Sequence, residues 1–146
     1  MYRLWALVFS VVMVLGVFVG CADPAATIRT FTYPPDFKYV SGAELKSTMD
    51  ALAQDLTRLD LALNAAQRSE AIDEGEVVRI LAEIERTAQK LDARSVGSNH
   101  PFLEDYMGRF GDTVQQARIA ASLNPPNYYL AGRVAGACVS CHKINR

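Results

Sequence analysis

Leu45, Met49, Leu52, Leu56, Leu59 and Leu63 recur at spacings of 4, 3, 4, 3 and 4. Only an α-helix gathers positions with that rhythm onto one side, and the seam they form must be buried against neighbouring elements. The stripe opens at Ser41-Gly42-Ala43-Glu44, a capping box with serine at the N-cap and glutamate at the third helical position. Asp73-Glu74-Gly75-Glu76 repeats that signal ahead of Val77, Leu81, Ile84, Ala88 and Leu91. A third stripe opens at His100-Pro101, where proline suits the first helical position. Its seam is Leu103, Tyr106, Phe110, Val114, Ala117 and Ala121, with Gly108 and Gly111 either weakening the helix or admitting a close neighbour. Asn124-Pro125 is expected to start the fourth, which carries Leu130, Val134, Ala137 and Cys141. No segment alternates as a strand does. The pattern predicts an all-α domain, an antiparallel up-down four-helix bundle.

Composition narrows the classes. A chain of 146 residues holds one such domain. A formal charge of −1 excludes the basic excess of a nucleic-acid binder. Three cysteines are too few for a disulfide-dense scaffold.

The first 21 residues read as an export signal. Arg3 supplies a charged start, and Leu4 through Val19 is apolar apart from Ser10 and Gly16, too short for a comfortable membrane span. The run closes on Phe18-Val19-Gly20-Cys21, which resembles a bacterial lipobox, with Phe18 standing where an aliphatic residue is usual. That resemblance implies that Cys21 is lipidated as the first mature residue, tethering the domain to a membrane without spanning it. An ordinary cleaved signal with an incidental cysteine is one alternative, and a retained single-span anchor, disfavoured by an apolar run of 16 residues, is the other. Either way the domain works outside the cytoplasm. Residues 22–40 hold Pro24, Pro34 and Pro35 without helical period and read as an extended tether. Phe31, Tyr33, Phe37 and Tyr39 leave open that part of it lies on the bundle as an arm. The helical domain is residues 41–146.

The chemistry is concentrated at the chain's end. Cys138-Val139-Ser140-Cys141-His142 is the C-x-x-C-H pattern of covalent haem attachment. On a helix, positions i, i+3 and i+4 share a face, so two thiols can add to the two vinyl groups of one haem while the adjacent imidazole reaches the iron. Attachment needs reduced thiols and machinery outside the bacterial cytoplasm, in agreement with the signal. Zinc would need a fourth ligand, for which His100 is the only other histidine. A thioredoxin-like pair would need a βαβ context, and a plain disulfide would leave His142 unexplained.

A C-terminal C-x-x-C-H motif on an exported four-helix chain resembles the class II c-type cytochromes, the cytochrome c′ family. The resemblance covers residues 41–146. Its most specific part is the tail, Cys138 to Arg146, which matches the family's arginine four residues after the histidine; Asn145 departs from the usual aromatic, and Ala135 from a frequent glycine. The family implies one covalent haem c, His142 as axial ligand and Arg146 on the proximal side. In an up-down bundle the end of the fourth helix lies level with the starts of the first and third, so Met49, Met107 and His100 can all approach the iron's open side. The family's distal position, early in the first helix, matches Met49. Arg133, one turn and a residue before Cys138, could reach a haem propionate.

The expectation is therefore a monohaem electron carrier of the periplasm or a membrane surface, not an enzyme. Its rival is a five-coordinate haem that binds nitric oxide or carbon monoxide, which requires Met49 to point elsewhere. Removing residues 1–20 takes away one of 15 basic residues and none of 16 acidic ones, leaving −2, or about −4 with two ionised propionates, suited to a basic patch on a periplasmic or membrane redox partner. A homodimer through the helices stays open.

Overall fold

The computed structural model describes residues 32, 36–68 and 70–144. Cys21, most of the tether and Arg146 lie outside the described residues. The chain divides into two compact units, Met1–Pro35 and Asp36–Arg146, and the second carries the helices named below. Among the described residues no helix is long and apolar enough to cross a membrane.

The second unit is all-α. Helix α1 spans Gly42–Leu63, α2 spans Glu74–Leu91, α3 spans Gly108–Ala121 and α4 spans Tyr129–Ile144. Both predicted capping signals operate. Ser41 Oγ accepts the Glu44 amide hydrogen at 3.2 Å, and Asp73 Oδ1 accepts that of Glu76 at 3.0 Å, each satisfying one of the donors a helix start leaves open. Each helix packs on two others, α1 on α2, α2 on α3, α3 on α4 and α4 back on α1. The seams meet in one core. Leu52, Leu56 and Leu59 of α1, all five predicted positions of α2, Val114, Ala117 and Ala121 of α3, and Ala131 and Val134 of α4 are buried. Leu45, Met49 and Leu63 at the ends of the first stripe pack against its margin.

Two departures from the sequence expectation have local causes. The fourth helix starts at Tyr129, not at Asn124-Pro125. Two successive prolines, Pro125 and Pro126, push the residues before them out of the α region, and Asn127 Oδ1 then accepts the Tyr129 amide hydrogen at 3.0 Å. Of the two tyrosines there, Tyr128 packs against the core and Tyr129 is exposed. Burial, with Glu74 and Asp73 nearby, lifts the Tyr128 phenol above its ordinary value.

The third helix begins at Pro101, as the sequence indicates, but its first turns widen into a π-helix over Leu103–Met107. Gly108 follows directly, and a methyl group there would overlap Nε, Cδ and Cζ of Arg94. The missing side chain is thus the seat of an arginine, which bonds Asp92 at 2.8 Å and Asp112 at 2.7 Å. The Arg94 guanidinium beside Asp92 holds that carboxyl below the usual carboxylate range. A prediction follows from the close fit. Gly108→Ala is expected to be near neutral in urea unfolding, because a helix-propensity gain of about 1 kcal/mol is offset by displacing Arg94 from exposed ion pairs worth about 0.2–1 kcal/mol. In an Arg94→Ala background the same change should stabilise by about 1 kcal/mol. Equal effects in both backgrounds would show that Arg94 does not use the space.

Residues 36–40 lie against the helical unit. The Lys38 backbone donates to the Gly97 carbonyl at 3.0 Å. Its ammonium donates to the carbonyls of Lys90 and Asp92 at 2.7 and 3.0 Å, satisfying acceptors that the end of α2 leaves open. Val40 is buried and exchanges two hydrogen bonds with the Asn99 side chain at 2.8 and 2.9 Å. The arm reading applies to these five residues.

Candidate haem-binding cleft

Three elements enclose a cleft of about 450 Å³, within the range of small-molecule and cofactor sites. Helix α1 contributes Leu45, Met49, Leu52, Ala53 and Leu56, all but Ala53 from its core-facing stripe. The π-turn and α3 supply a second wall that includes Phe102, Tyr106, Met107 and Phe110. Ala137, Cys138, Cys141 and His142 of α4 form the third. The lining is mostly aliphatic, aromatic or sulfur-bearing, and contains no carboxylate.

The predicted attachment residues meet as their spacing requires. Cys138, Cys141 and His142 fall on one side of α4 and border the same cleft. No disulfide joins the two cysteines. Desolvation at the cleft, aided by Cys141, pushes the Cys138 thiol up, so at neutral pH it stays a thiol and not a reactive thiolate. His142 is exposed at the rim.

The three distal candidates separate. Met49 and Met107 both border the cleft. Met107 is buried and also borders a smaller polar pocket on its far side, shared with Glu85, Arg94 and Asp112. Met49 is only half-buried, at the margin of the core. His100 does not reach the cleft. Its Nε2 lies 3.1 Å from the Val40 carbonyl oxygen, and its ring sits 5.6 Å from that of Phe102, which does line the cleft. The histidine is occupied in fastening the arm. This also removes the fourth ligand that zinc would need, and among the described residues no group of three or more His, Cys, Asp or Glu side chains is placed to hold a metal ion.

Arg133 is exposed and does not border the cleft. Arg109, unremarked in the sequence because it sits between seam positions Tyr106 and Phe110, does. Comparison of the chain with protein-family models, curated protein sequences and solved structures gave no match, so the functional reading rests on these residues and their placement.

Proposed function

We propose that this protein is a monohaem c-type cytochrome that carries single electrons in the bacterial periplasm or at a membrane surface. One observation carries the reading: the C-x-x-C-H residues and Met49, far apart in sequence, share one apolar cleft. The proposed frame is an antiparallel up-down bundle, supported by the cyclic packing of α1 through α4. Cys138 and Cys141 would hold haem by thioether bonds, with the His142 imidazole and the Met49 thioether as its axial ligands. Haem, when bound, supplies reversible one-electron chemistry. The chain's own part is to exclude water with Leu45, Leu52, Phe102 and Phe110, and to keep the same ligands in both oxidation states. Fixed coordination lowers reorganisation and denies small ligands the iron. Lipidated Cys21 is the proposed anchor, Arg146 the proposed proximal neighbour, and a basic surface on a redox protein the proposed partner.

The rival reading, a five-coordinate haem that captures nitric oxide or carbon monoxide, draws on Leu45 and Leu52, which flank Met49 on the same wall and would leave the distal side apolar and open. Visible spectra of the exported protein, made in a host with haem-attachment machinery, separate the two. A low-spin spectrum in both oxidation states, unchanged by carbon monoxide, is expected. A high-spin spectrum that shifts with carbon monoxide would favour the rival, and a protein without covalent haem would end both.

A further inference from the structure

The cleft has an uneven charge. Apart from His142 at the rim, its one cationic lining residue is Arg109, and no carboxylate lines it. Several arginines elsewhere in the helical unit are matched with acids, and the two that are not, Arg86 and Arg133, lie away from the cleft. Arg58 pairs with Glu83 at 3.0 Å, Arg79 with Glu83 at 2.6 Å, Arg94 with Asp112 at 2.7 Å and Arg118 with Glu85 at 2.7 Å. Arg109 has no such acid among the described residues. Its Nε donates to the Asp105 carbonyl at 2.5 Å, and its Cζ lies 4.9 Å from the centroid of the Tyr106 ring, another cleft residue. Those two contacts fix the guanidinium plane through one nitrogen and one face. The terminal nitrogens keep their hydrogen-bonding capacity, in the fork geometry that matches a carboxylate.

We propose that Arg109 is a carboxylate-binding residue of the cleft and receives a propionate of the haem. The inference rests on the cofactor reading above and adds what that reading does not contain: the residue that fixes which way round the macrocycle's charged edge lies. Arg133, the sequence's candidate for this role, does not border the cleft. A bidentate guanidinium–carboxylate pair beside an apolar wall is also an electrostatic control. It offsets one negative charge near the iron, and its removal favours the ferric form.

The test separates the carboxylate from the rest of the ligand. Apoprotein made without attachment machinery is titrated with mesohaem, whose ethyl groups cannot form thioethers, and with mesohaem dimethyl ester, whose carboxylates are masked. Arg109→Gln is expected to weaken mesohaem binding about tenfold or more and to change ester binding less than about twofold. Arg109→Lys should recover part of the loss, since it keeps the charge and lacks the fork. A second measurement covers an apoprotein that does not fold. In the haem-attached protein at fixed poise, Arg109→Gln should raise the ferric-to-ferrous ratio about threefold and Arg109→Lys should leave it nearly unchanged. Equal weakening of both ligands would mark a packing role and overturn the proposal, as would no weakening at all or an unmoved ratio. Those failures leave the cofactor reading standing. Absence of haem from the wild-type protein, both attached and added, would instead overturn the cofactor reading and this inference with it.

Discussion

Exported protein carrying Cys138→Ser together with Cys141→Ser is expected to lose covalent haem completely, its denatured mass falling to that of the polypeptide. Each single variant should keep one thioether at reduced yield, because both sulfurs border the same cleft and either can hold the ring alone. The double variant could still take up haem through His142 and the apolar walls. Its occupancy would then follow mass action and its melting temperature would depend on added haem. Mass spectrometry of denatured protein, read beside a thermal melt with and without haem, checks both parts. Covalent haem surviving in the double variant would overturn the attachment assignment.

Met49→Leu should have the second-largest effect. Loss of a thioether ligand is expected to turn a low-spin, closed site into a high-spin one that binds carbon monoxide, and to lower the reduction potential by on the order of 100 mV, since methionine ligation raises it. Leucine occupies nearly the same volume, so stability should change by less than about 1.5 kcal/mol. Met107→Leu is the control. Met107 is buried between the cleft and the polar pocket, and its replacement should leave the spectrum as it is. The opposite result, with Met107 governing the spectrum and Met49 silent, would move the ligand to the π-turn before α3.

What the sequence made legible was local or periodic. Ser41 and Asp73 announce helix starts because the donor they satisfy lies three residues away, and the α2 seam is buried at every predicted position because period alone sets its face. The proposed attachment residues were readable as neighbours for the same reason, as an i, i+3, i+4 set on one helix. The rest depends on partners distant in the chain. Nothing near His100 foretells its bond to the Val40 carbonyl, 60 residues earlier. Gly108 left two readings open, and Arg94 from the preceding loop decides for the close neighbour. Arg109 shows the limit most plainly. On its own helix it reads as a solvent-facing charge, and it becomes a cleft residue only when α1 and α4 stand beside α3. The start of α4 at Tyr129, not Asn124, reflects the proline pair between Asn124 and Asn127 and the Asn127 side chain that accepts the Tyr129 amide hydrogen.

The position of Met107 has a dielectric consequence. One side chain separates the cleft from a polar space of about 160 Å³ that is bordered by the Arg94–Asp112 pair and by Glu85, itself bonded to Arg118. That space has room for several water molecules, at about 30 Å³ each in the liquid. The inner wall of the cleft is therefore backed by a polar space and paired charges a methionine's width away. A charge gained or lost in the cleft is screened from that side within a few ångströms. The bundle thus offers its proposed cofactor an apolar surface to bind and, just behind it, a medium able to respond to the electron.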